Sequence, residues 1–224
     1  MDSFEELLKK TTGSVEEKMQ TIKALSNTVQ ELQREIQTLK SIDVKSTGIY
    51  TRWGRRSCPG TSELVYEGFA GGGEYQQYGA SSNYICLPKD TIFDGDGRKA
   101  GSVSRFYGAE YETSDATFHA DLHDKEVPCA VCHVIGRSVV MIPVKNACYS
   151  GWHTEYSGYL MSSYYGQKGN KELVCMDGNP EMADGSDDGS QNGALFYFAQ
   201  AVCGSLKCPP YSPNKALTCV VCSK

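Results

Sequence analysis

Four cysteines of this chain return about ninety residues later, and that recurrence restricts its folds more than any other feature. Cys58 corresponds to Cys148, Cys129 to Cys219 and Cys132 to Cys222 without insertion, and Cys86 corresponds to Cys175 with a slip of one. Residues between them follow the same offset: Tyr66-Glu67-Gly68-Phe69 faces Tyr156-Ser157-Gly158-Tyr159, and Asp94-Gly95 faces Asp184-Gly185. This predicts a tandem repeat over residues 55–134 and 145–224. Each repeat owns four equivalent cysteines, and the second adds Cys203 and Cys208. That extra pair can close a small loop, eased by the conformational freedom of Gly204. Cys58 and Cys86 are expected to bond to the two members of Cys129/Cys132, and Cys148 and Cys175 to Cys219/Cys222. Which member takes which is open at this level, as is an exchange of strands between the halves.

The rest of the body reads as strands. Segments 63–66, 83–87, 138–142, 172–176, 194–198 and 217–221 are short, β-branched or aromatic, and bounded by turn residues. No useful helical period follows residue 45. The expected fold is mainly β: a disulfide-rich globular body of two tandem related lobes, preceded by an N-terminal coiled-coil helix. The divisions are 1–45 for the helix, 46–144 for the first lobe and 145–224 for the second. Bridges would compensate for the thin core of lobes this small.

Residues 1–45 are a different material, with no Cys, no Pro and one Gly. Their apolar residues alternate spacings of three and four: Ile22, Leu25, Val29, Leu32, Ile36 and Leu39. This is an a/d seam with β-branched residues at a and Leu at d. It extends backward at a to Val15 and Leu8, with Lys18 and Thr11 at d, and Gly13 is an expected weak point. So narrow a stripe needs burial against copies of itself. Glu35 at g and Lys40 at the following e are placed for an interchain ion pair in a parallel arrangement. The heptads alone lean toward a dimer and leave two against three open.

A dense, even cysteine count points to an oxidising compartment. The start Met1-Asp2-Ser3-Phe4-Glu5-Glu6 lacks a basic stretch followed by an apolar one, so a secreted protein is expected with its leader removed. Net charge is −5, which argues against a nucleic-acid partner. No apolar run reaches 18 residues, so no membrane insertion by a helix is expected.

Few residues suggest chemistry. The two CxxC pairs are explained by the repeat rather than by zinc or redox function. His119, Asp121 and His123 would share one face of an extended chain, a candidate metal face. The loops carrying Asp94 and Asp96, and Asp184, Asp187 and Asp188, could hold calcium weakly, though neither completes the twelve-residue pattern. Arg52, Trp53, Arg55 and Arg56 form a basic-aromatic cluster where copies of the chain would converge, a candidate subunit interface. No nucleophile-base spacing or phosphate cradle is present, so the chain is expected to be no enzyme and no catalytic residue is assigned.

The body resembles the non-collagenous C-terminal domain of sponge-type short-chain collagens. The resemblance is carried by Tyr50-Thr-Arg-Trp-Gly-Arg55 with Cys58-Pro59, Glu63-Leu-Val-Tyr-Glu-Gly68 and Asn83-Tyr-Ile-Cys-Leu-Pro88. It continues through Tyr107-Gly-Ala-Glu-Tyr111, Val127-Pro-Cys-Ala-Val-Cys132, Gly158-Tyr-Leu-Met-Ser162, Gly193-Ala-Leu-Phe-Tyr197 and Cys203-Gly-Ser-Leu-Lys-Cys-Pro-Pro-Tyr211. It covers the chain from about residue 50 to the end. The resemblance implies a secreted matrix or surface protein assembled as a trimer, without catalytic residues. Here the domain follows a heptad segment instead of Gly-X-Y repeats. The expected function is therefore an extracellular, oligomerising structural or matrix-associated protein, a parallel homotrimer with a dimer as runner-up. The alternative is a soluble trimeric lectin, calcium-assisted or not, binding glycans through Tyr75, Tyr78, Tyr84, Tyr156 and Tyr159. Its partners would be copies of itself and a matrix protein or glycan. No cofactor beyond weakly bound calcium is expected.

Overall fold

The computed structural model describes residues 2–41, 47–93, 102–187 and 189–224. Asp94, Asp96 and Asp188 lie outside them, as do the side chains of Leu8 and Leu39. The chain forms two compact units, an N-terminal helix and a β body.

Helix α1 spans Asp2–Ser41 without a break. Gly13 does not interrupt it, because one glycine costs only about 1 kcal/mol against the helical preference of its neighbours. Thr21, Thr28 and Thr38 donate their hydroxyls to carbonyls four residues earlier, so each hydroxyl is satisfied within the helix. Ile22, Leu25, Val29, Leu32 and Ile36 are each half exposed or more. No helix of the described residues is long and apolar enough to cross a membrane.

The body is mainly β and disulfide-rich. Its strands are β1 (Thr47–Trp53), β2 (Glu63–Gly72), β3 (Ile85–Pro88), β4 (Tyr107–Tyr111), β5 (Pro128–Ile135), β6 (Val139–Pro143), β7 (His153–Ser162), β8 (Val174–Asp177), β9 (Ala194–Phe198) and β10 (Thr218–Ser223). They make one ten-stranded sheet in the order β6-β10-β7-β8-β1-β5-β2-β4-β9, with β3 on β2 and a further β7–β9 pairing. All six expected strand segments lie in or overlap strands. β1, β4, β5 and β7 were not among them.

The two halves interleave. β4 pairs with β9 in parallel. β1 touches β8 at Trp53 and Met176. β6, which precedes residue 144, pairs with β10. Burial follows the same logic. One cluster joins Trp53, Tyr84, Tyr111 and Cys129 to Met161, Met176 and Phe196. A second joins Tyr50, Cys132 and Val134 to Tyr156, Leu160, Cys175 and Cys219. Tyr84 stacks on Phe196 with ring centroids 3.9 Å apart, and Trp53 leans on both. Each core therefore draws on both ends of the body.

All ten cysteines are bonded: Cys58–Cys132, Cys86–Cys129, Cys148–Cys222, Cys175–Cys219 and Cys203–Cys208. The large loops enclose the same separation, 74 residues in both cases, and the smaller ones 43 and 44. Gly68 and Gly158 recur at equal places for one steric reason. A Cβ on Gly68 would sit 1.7 Å from the Leu87 carbonyl oxygen, and one on Gly158 would sit 1.8 Å from that of Met176.

Candidate functional site

The side chains of the basic-aromatic cluster assigned to a subunit interface find partners within the chain. Arg52 Nε donates to Asp177 Oδ2 at 2.8 Å, and its guanidinium lies over the Tyr156 ring. Arg55 pairs with Glu181 at 3.7 Å and donates to the Asn179 carbonyl. Arg56 pairs with both Glu181 and Asp184. Trp53 is buried in the core and reaches the surface only at the edge of an open groove. The cluster clamps β1 to the segment after β8. Its acidic partners lie some 125 residues away in sequence, too far for local pattern to reveal.

The same network occupies one of the acidic positions assigned to calcium. Asp184 accepts from Lys89 as well as Arg56, and these cations hold its carboxyl below the usual carboxylate range. Asp187 Oδ1 accepts the Gly189 N–H at 2.7 Å, an ordinary turn contact.

The tyrosines divide. Tyr84 and Tyr156, assigned to ligand binding, are core residues that also border an open groove. Tyr84 donates to the Leu195 carbonyl at 2.6 Å, and Tyr156 to that of Cys175 at 2.9 Å. Burial pushes both phenols well above their ordinary pKa. Tyr159 packs against Phe118 and Phe198 and is half-buried. Tyr78 is 84 % exposed. Its loop meets the equivalent loop after β7: Gly169 donates its N–H to the Tyr75 carbonyl, and Lys168 Nζ lies 4.8 Å from the Tyr78 ring centre. On that second loop Tyr164 and Tyr165 pack ring against ring in a tilted pair with centroids 4.3 Å apart, and Tyr165 is almost wholly exposed. The two joined loops therefore carry Tyr75 and Tyr78 on one and Tyr164, Tyr165 and Lys168 on the other.

The segment holding His119, Asp121 and His123 is not extended. Residues Ala120–Leu122 form a 3-10 turn preceded by His119 in the left-handed conformation, so the three side chains share no strand face. His123 instead lies between Glu112 and Asp124.

Glu155 was not among the candidates, yet it is the best-connected buried group. Its side chain is fully buried and accepts from Ser223, Ser62, Tyr50 and Thr61, with Arg137 at 3.2 Å. Burial alone would raise its pKa, but the Ser223 and Ser62 hydroxyls and the Arg137 charge outweigh that and lower it. The cause is a bulge. The β7–β10 register skips Glu155, just as the β2–β5 register skips Val65. A bulge re-aims one side chain, inward for Glu155 and outward for Val65, which is 55 % exposed. Nothing in the local sequence marks a bulge, so the hub was not legible.

An open groove of about 410 Å³ runs between β1, β6 and residues 172–175, lined by Ile49, Val140, Met141 and Leu173. Its walls mix polar and apolar surface in nearly equal parts, Trp53, Tyr84 and Tyr156 border it, and the Glu172 carboxylate beside it accepts the Tyr84 N–H. A scan against protein-family models gives no match to this chain, and no curated protein matches it.

Proposed function

We propose that this chain is a secreted extracellular assembly module, not an enzyme: α1 bundles with its copies as a parallel coiled coil, and the bridged body is its head. The observation that carries the reading is the row of apolar residues Ile22, Leu25, Val29, Leu32 and Ile36, left half exposed along α1 at heptad spacing. Such a row in water favours self-association. Complete pairing of the ten cysteines supports an oxidising compartment. The equal spacings of the bridges, the paired glycines and the paired bulges support two related halves, grown into one another rather than standing as separate lobes. The resemblance to the C-terminal domain of sponge-type short-chain collagens supports a trimer over a dimer, with a matrix role.

The test is Leu32→Asp, which places a charge in the seam. Light scattering should show a lower oligomeric mass than for the native chain. An unchanged mass would assign assembly to the body alone.

The second reading, a glycan-binding head, is favoured by the exposed rings of Tyr78, Tyr164 and Tyr165 with the half-buried Tyr75, since aromatic faces stack on sugar rings. A glycan array with and without calcium tests it. Binding abolished by Tyr78→Ala supports recognition, and an array without signal leaves assembly.

A further inference from the structure

Glu112 follows β4 with a side chain only 11 % exposed. Its carboxylate accepts no hydrogen bond among the described residues, and burial raises its pKa while the imidazole of His123 opposes that. His123 Nδ1 lies 3.4 Å from Glu112 Oε2, and Nε2 lies 3.5 Å from Asp124 Oδ2. Both separations are too long for good hydrogen bonds. The Nδ1 atom is itself buried and has no hydrogen-bond partner. No Lys or Arg pairs with these three side chains among the described residues. Two carboxylates and one imidazole thus face each other with their donor atoms within 4.8 Å, and among the described residues no cation other than that imidazole pairs with the carboxylates.

The fold does not require this arrangement. Asp124 takes a left-handed turn (φ 60°) and donates its N–H to the Tyr111 carbonyl. Ninety residues on, Asn214 takes the same turn (φ 61°), and Ala201 bridges Pro213 beside it. There the places of Glu112, His123 and Asp124 are held by Val202, Pro213 and Asn214, which offer no comparable donor set. The left-handed residue recurs there without the acids and the imidazole, and the Glu110–Glu126 bridge has its counterpart in Gln200–Ala216. Burying a carboxylate without a donor is costly, so the first copy carries a burden the second shows to be avoidable.

We propose that Glu112, His123 and Asp124 form a binding site for a zinc-class divalent cation. One ring nitrogen of His123 and one oxygen from each carboxylate are the protein ligands, and water completes the shell. A tetrahedral zinc site needs donors about 3.4 Å apart, which side-chain torsions reach from the present spacing. One imidazole with two carboxylates suits zinc, whereas calcium wants six or more oxygens. His119 and Asp121 take no part.

The test uses the full, disulfide-intact chain stripped with EDTA. It is titrated calorimetrically with zinc chloride, and with calcium chloride in parallel, then dialysed and its metal content measured. One zinc per chain should be retained, with a rise in melting temperature, and no calcium. Asp124→Asn, which places in this turn the residue already present at 214, should weaken zinc binding at least tenfold, as should Glu112→Gln. His123→Gln should abolish it, and His133→Gln should leave it unchanged. No zinc retained by the native chain, retention unaffected by Asp124→Asn and His123→Gln, or equal loss on His133→Gln would each overturn the site.

Discussion

Replacing Glu155 by Gln should cost more than its modest isosteric change suggests. The native carboxylate takes the Ser223 hydroxyl on Oε1 at 2.6 Å and the Ser62 hydroxyl on Oε2 at 2.7 Å, with Tyr50 on Oε2 and Arg137 beside Oε1. The amide keeps one acceptor oxygen and turns an NH₂ toward hydroxyls that must give up their donor role to receive it, with Ser62 and Ser223 already accepting from Tyr50 and Arg137. It also leaves Arg137, a quarter exposed, without its counter-charge. Orphaning one or two buried hydroxyls at about 1–3 kcal/mol each, with partial relief by water at Arg137, gives a loss of about 3 kcal/mol. The assay is urea denaturation of the oxidised protein, with the slope compared between variants. A pH series adds a second readout. The folded pKa of Glu155 lies below its unfolded value, so its stabilisation is complete above the unfolded value and disappears as pH falls through the folded one. The gap between native protein and Glu155→Gln should therefore shrink on acidification below about pH 4. A gap under about 1 kcal/mol at pH 7, or one that grows in acid, would refute the hub.

Two further perturbations follow from the same framework. Gly158→Ala should destabilise the body by about 3 kcal/mol or more, because its Cβ meets the Met176 carbonyl and forces β7 and β8 apart; calorimetric melting checks this, and an unchanged melting temperature contradicts the close approach. Removing the 43-residue Cys86–Cys129 closure as a double Ser variant should cost about 4 kcal/mol by loop entropy; the reading in denaturant should fall well below the native midpoint, and a loss near zero would mean the strands hold that loop unaided.

The bridges were legible in outline because covalent partners must recur together when a sequence recurs. Their final assignment needed the pleat. Cys129 and Cys132 stand three apart on β5 and so face opposite sides, one meeting Cys86 and the other Cys58. The tyrosines show the reverse case. Tyr78 and Tyr84 look alike in a Gly- and Ser-rich stretch, but only Tyr84 precedes a strand that turns it onto Phe196. The partners of the Arg52–Arg56 cluster were hidden for a related reason, since its acids arrive from the far half of the body. The parallel β4–β9 pairing was invisible, as no turn links those strands. The His123 environment depended on Glu112, eleven residues back, swinging in from the end of β4.

Assembly through α1 is tested most directly by the native mass of the intact chain across a dilution series. The account predicts one species at three times the 24.5 kDa of the chain, persisting as concentration falls. A species at the mass of a single chain at every concentration would contradict it.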